Sequence, residues 1–120
     1  MSRTRYSAKQ AGTRFETAIA RYLADTLSDD RIERRARTGS KDRGDISGLR
    51  CHGQRVVAEC KDVARMNLPE WVDEAQIEAG HDDALVGVVI HKRHGVGDPA
   101  RQWVSMTVAD LVAILTGVKP

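Results

Sequence analysis

The chain reads as an α/β fold, a mixed central sheet flanked by helices, and three stretches point to it. Phe15, Ile19, Tyr22, Leu23 and Leu27 recur at helical spacing over residues 13–27. Residues 84–90 are a nearly unbroken apolar run of strand length, as expected for a strand covered on both faces. Between them, residues 45–63 divide into two strand-like segments around a turn at His52-Gly53.

Taken in order, residues 1–11 are polar and basic and are expected as a loose N-terminal arm ahead of a single domain over residues 12–120. The first helix opens at Thr13, where Thr13 and Glu16 have the spacing of a capping box, and Ser28-Asp29-Asp30 closes it. Residues 31–38 form a basic strand with Ile32 and Ala36 on one parity, and residues 39–44 form a loop rich in Gly and charge. Strands follow at 45–50 and 55–63. Asn67-Leu68-Pro69-Glu70 starts a second helix, with Pro suited to the first turn and Glu70 to the positive end of the dipole, and Gly80 is its stop. After the apolar strand at 84–90, a basic loop over 91–101 leads to a strand at 102–106. Thr107 with Asp110 then caps a last helix that ends at Gly117. The order is α-β-β-β-α-β-β-α.

Aromatic residues are few, so Val, Leu, Ile and Ala must supply most of the core, with Trp71 and Trp103 as packing anchors. Cys51 and Cys60 are too few for a disulfide scaffold and lack zinc spacing, which fits a reduced, cytoplasmic setting. No apolar run has the length of a membrane span, so no membrane partner is expected. Charge is divided along the chain: residues 1–50 carry 12 Lys/Arg against 7 Asp/Glu, and residues 51–83 carry 3 against 8. A basic first half beside an acidic middle suits a protein that grips a polyanion and holds cations nearby.

The most suggestive constellation is Asp45 ahead of Glu59-Cys60-Lys61 across the hairpin. In an extended strand Glu59 and Lys61 share a face while Ala58 and Cys60 take the other. Two carboxylates beside an ammonium make a site for a hard divalent cation, which can hold a phosphate oxygen and an attacking water together. Each residue also has a plainer reading: Asp45 as a turn residue, Glu59 and Lys61 as an exposed ion pair, and Glu16 as a helix cap.

With Gly12-Thr13-Arg14-Phe15-Glu16 and the run Arg37-Thr38-Gly39-Ser40-Lys41-Asp42-Arg43-Gly44-Asp45, this constellation resembles the PD-(D/E)xK nuclease superfamily, and within it the archaeal-type and phage Holliday junction resolvases. The resemblance covers residues 12–61, and Gly44 stands where the family name has Pro. It implies a restriction-endonuclease-like core and cleavage of four-way DNA junctions to leave a 5′ phosphate and a 3′ hydroxyl. Asp45, Glu59 and the backbone carbonyl of Cys60 would hold Mg2+, with Mn2+ able to substitute. Glu16 would be a further catalytic acid, and Lys61 would activate water or stabilise the transition state. Arg14, Arg37, Ser40, Lys41, Arg43, Lys92 and Arg93 are candidate DNA contacts, and Gln76 a polar residue beside the site. Two symmetric nicks call for a homodimer, and no small-molecule cofactor is expected. The alternatives are another nuclease of the superfamily acting on duplex or single strands, and a DNA-binding protein of the same fold without catalysis.

Overall fold

The structure, a computed structural model, describes residues 4–36 and 43–120. Arg37, Ser40 and Lys41 lie outside the described residues. The elements run α1 (Arg5–Thr26), β1 (Glu33–Arg34), β2 (Ile46–Ser47), β3 (Arg50–Cys51), β4 (Gln54–Lys61), α2 (Leu68–His81), β5 (Val86–His91), a 3-10 turn (Pro99–Arg101), β6 (Trp103–Ser105) and α3 (Val108–Thr116). This is an α/β domain with a mixed sheet: β3 and β4 pair antiparallel, β4 and β5 parallel, and β5 and β6 antiparallel. β1 and β2 form a second antiparallel pair. It joins the main sheet through the Asp45 amide, which donates to the Ala58 carbonyl at 2.9 Å.

Strand alternation sorts the core. Ala58, Cys60, Val86, Val88 and Ile90 face α1 and α3, packing with Phe15, Ile19, Ala20 and Ala113. On the opposite face, Val89 packs against Trp71 and Ala75 of α2. α2 sits close to the sheet because Gly87 has no side chain: a Cβ there would lie 2.2 Å from the Ala75 carbonyl oxygen. Every residue of β5 is buried, as its apolar run requires.

Several boundaries differ from the sequence reading. α1 begins at Arg5, capped by the Thr4 hydroxyl on the Ser7 amide, so most of the segment expected as an arm is helical. Residues 5, 6, 9 and 10 are exposed and leave no apolar stripe for a periodicity argument to find. Thr13 is therefore inside the helix, its carbonyl accepting from the Thr17 hydroxyl at 2.9 Å, and the expected capping box with Glu16 does not form. The strand expected over 45–50 breaks at Gly48, whose φ of +86° and close approach to the Arg31 carbonyl turn the chain between β2 and β3. α2 runs one residue past Gly80. The Thr107 cap, its bond to the Asp110 amide and the left-handed Gly117 stop are all as read. Among the described residues no helix is long and apolar enough to cross a membrane.

Candidate functional site

β4 carries the site. Its turn with β3 is built by His52 and Gly53 at φ of +53° and +72°, the paired left-handed geometry of a tight hairpin. Alternation sends Ala58 and Cys60 into the α1 core and turns Glu59 and Lys61 toward α2. Glu59 is 6% exposed, so the plain reading of Glu59 and Lys61 as a solvated surface pair does not hold.

Asp45 is brought to this strand by Gly44. At φ of +92°, Gly44 takes a conformation that proline cannot adopt, and a Cβ there would lie 2.9 Å from Val57 Cγ1 and 3.1 Å from the Ala58 carbonyl oxygen. The departure from the family name is therefore built into this backbone. Asp45 then grips β4 twice: its amide donates to the Ala58 carbonyl, and its carboxylate Oδ2 accepts the Cys60 amide at 2.7 Å. Alternate carbonyls leave a strand by the same edge, so the Cys60 carbonyl leaves by the edge that Asp45 lines.

Lys61 Nζ lies 3.0 Å from Glu74 Oε2 and 3.6 Å from Glu59 Oε1. Burial acts to lower its pKa, but the hydrogen bond it donates to Glu74 and the charges of Glu59, Glu74 and Asp45 outweigh it and raise the value overall. Lys61 is an ammonium at neutral pH and has no proton vacancy with which to act as a base. The buried Cys60 thiol is pushed up beyond its ordinary range by burial, then by the charges of Asp45, Glu16 and Glu59. It is inert as a nucleophile. The two sets of charges also locate the acids: Asp45 and Glu59 act on both Cys60 and Lys61, so they share one electrostatic neighbourhood.

The sequence reading missed Glu74 and Glu78. Ligand atoms of Glu59, Glu74 and Glu78 lie within 4.8 Å of one another, with Glu59 and Glu78 buried. The signal was present: Glu74 and Glu78 fall on the same stripe as Trp71 and Ala75, and Glu78 puts an acid on the face that packs the sheet.

The other candidates fall into distinct places. Glu16 is on α1, where its carboxylate accepts from Arg34 Nε at 2.8 Å and acts on the Cys60 thiol from the α1 face. Gln76 gives its amide to Asp110 Oδ2 at the foot of β5 and does not join the acids. Arg14 and Lys92 come together, lining with Asp62 and Gln102 a cleft of about 210 Å³ between α1 and the loop after β5. Arg43 is exposed, and its carbonyl accepts from Arg35 Nη1. The loop expected to be basic from residue 91 onward does not present its first residues together. His91 is buried, its ring 5.7 Å from that of Trp71 and its Nε2 2.8 Å from the Ser105 hydroxyl, and burial lowers its pKa, so it is a neutral imidazole rather than a surface cation. Arg93 lies over the Trp103 ring at 4.7 Å, which leaves that tryptophan half-exposed instead of in the core.

Comparisons with known proteins add no assignment: no family model matches the chain, and neither a characterised protein nor a solved structure resembles it significantly.

Proposed function

We propose that this protein is a metal-dependent DNA endonuclease with a restriction-endonuclease-like core, of Holliday junction resolvase type, acting in the cytoplasm. The observation that carries the reading is the seating of the Asp45 carboxylate on the Cys60 amide, beside a buried Glu59 whose neighbour Lys61 is held as an ammonium. A protein that needed only a stable strand would gain nothing by gathering carboxylates there, because buried charges are costly unless compensated.

The donors suit a hard cation. Glu59, Glu74 and Glu78 beneath α2 are oxygen ligands lying together, and Asp45 with the Cys60 carbonyl would add oxygens from the strand edge. Magnesium bound there, or manganese in its place, would neutralise charge on the phosphoryl oxygens and acidify the attacking water. Lys61, one pleat from Glu59, supplies a fixed positive charge where negative charge develops. A raised pKa favours charge stabilisation over water activation for Lys61, and a carboxylate would then take the proton. Arg14 and Lys92, in the cleft beside Asp62, together with Arg43 and Arg93, offer positive charge to the phosphate backbone. Glu16, tied to Arg34, is a further acid on the α1 side.

Incubation of the protein with labelled four-way junction, linear duplex and single strand, with magnesium or with chelator, tests the reading. Symmetric magnesium-dependent nicks in the junction, leaving 5′ phosphate and 3′ hydroxyl, are expected. Cutting of linear substrates alone would keep the hydrolase and replace the substrate, and binding without cutting in any metal would overturn the enzyme reading in favour of a binding protein. Glu59→Gln preserves volume and is expected to lower the cleavage rate about 100-fold or more while junction binding persists. A variant that cuts at the original rate sinks the role given to Glu59.

A further inference from the structure

β6 is the outer strand of the main sheet, and its first residue, Trp103, is 47% exposed. In register Trp103 stands opposite His91 of β5, and His91 stands opposite Lys61 of β4. Residues level with one another on neighbouring strands share a face, so Lys61, His91 and Trp103 form a row across the α2 side of the sheet. The contacts of His91 agree with this: its ring lies 5.7 Å from that of Trp71 on α2, and its Nε2 meets the hydroxyl of Ser105, two residues on from Trp103, at 2.8 Å. Two strand spacings put the backbone of Trp103 about 10 Å from that of Lys61.

The ring has a cationic backing. Arg93 lies over it, with Cζ 4.7 Å from the ring centroid. The Arg93 amide donates to Gln102 Oε1 at 2.7 Å, and Gln102 Nε2 donates to the Val96 and Asp98 carbonyls, both at 2.9 Å. One side chain thus ties the loop between β5 and β6 together and holds Arg93 beside Trp103. Among the described residues no carboxylate pairs with Arg93. Its charge meets the ring alone and stays available to an anion.

We propose that Trp103, backed by Arg93, is a stacking platform for one unpaired nucleobase of a DNA strand. A nucleotide joins a flat π-face to a phosphate, and this pair of residues offers a ring to the first and a cation to the second. Bases inside a duplex are already stacked on their neighbours and do not reach a ring on a sheet edge, so the platform selects a strand opened at a junction, flap or gap. An uncharged apolar peptide is the poorer occupant, since it would leave Arg93 facing no anion. The place of the base relative to the acids rests on the nuclease reading: with a metal held by Glu59, the row from Lys61 to Trp103 makes Trp103 a positioning residue that sets which phosphate meets the metal. The stacking itself does not rest on that reading.

Fluorescence titration with chelator present, so that nothing is cut, reads the platform apart from catalysis. The chain has two tryptophans, Trp71 buried and Trp103 half-exposed, so quenching by an added base reports on Trp103. Oligothymidylate of about 10 nucleotides is expected to quench the emission and to bind about 10-fold more tightly than an abasic strand of the same length and charge. Trp103→Leu is expected to bind both strands alike, with unchanged far-UV circular dichroism. Should that variant fail to fold, quenching of the natural chain by oligothymidylate and not by the abasic strand decides the matter. A natural chain that binds the two strands equally, or a folded Trp103→Leu that keeps the preference, overturns the proposal. Stacking by a chain that cuts nothing with magnesium would sink the nuclease reading alone, and cutting by a chain with no preference for bases would sink the platform alone.

Discussion

His91 shows how a single side chain can read as a surface cation and be the opposite. Four residues in a row, His91, Lys92, Arg93 and His94, suggest a basic patch, but strand alternation turns the first of them inward. Burial depresses its pKa, so the unfolded chain takes up a proton near pH 6.5 while the folded one resists it. This contribution to stability is therefore complete above about pH 6.5 and is lost as pH falls from there through the lower folded value, with a slope of at most about 1.4 kcal/mol per pH unit. Urea unfolding between pH 7.5 and 5 is expected to show this decline, and His91→Gln to flatten it; an identical slope in the variant would assign the loss to other groups. Lys61 runs in the opposite sense. Its raised value keeps it charged throughout the neutral range, so its own ionisation does not contribute to that slope.

At the scale of elements, the distance between α2 and the sheet decides whether the acids meet. Gly87 lets the Ala75 backbone approach β5 directly, and Glu74 and Glu78 are carried by the same helix toward Glu59. Gly87→Ala is expected to cost about 3 kcal/mol in chemical denaturation, because backbone cannot yield as a flexible side chain can. It should also weaken magnesium binding by moving α2 outward. Thr107→Ala, which removes only the α3 cap, is expected to cost about 1 kcal/mol and leave metal affinity unchanged. Equal losses from the two variants would refute the claim that α2 packing sets the site. The cap itself was legible in sequence because its chemistry is local, whereas the depth of α2 was not, since it depends on a glycine and a carbonyl twelve positions apart.

For the whole molecule, the unequal division of charge becomes an arrangement in space. Arg14 on α1 and Lys92 after β5 are far apart in the chain yet line one cleft with Asp62, the neighbour of Lys61. If this cleft holds DNA backbone, junction affinity will fall steeply with salt, and Arg14→Ala will reduce the slope of log K against log salt by about 1 with no change in sequence preference. An unaltered slope would remove Arg14 from the contact surface. Arg14 is the useful probe because it is exposed, while Lys92 donates to the Val96 carbonyl and helps to hold its own loop.

The sequence by itself determined the alternation that separates Glu59 and Lys61 from Ala58 and Cys60, the hairpin turn at His52-Gly53, the buried β5 and both ends of α3. Each of these follows from side-chain periodicity or from a turn residue acting within a few positions. The start of α1 rests on the local Thr4 cap over exposed turns that no apolar stripe marks. Tertiary structure alone decided the break at Gly48, forced by the Arg31 carbonyl. It also decided that Glu74 and Glu78 would stand beside Glu59. Contacts between segments distant in the chain have no local signature, because the free energy that selects them comes from packing of whole elements and not from the preference of any one residue.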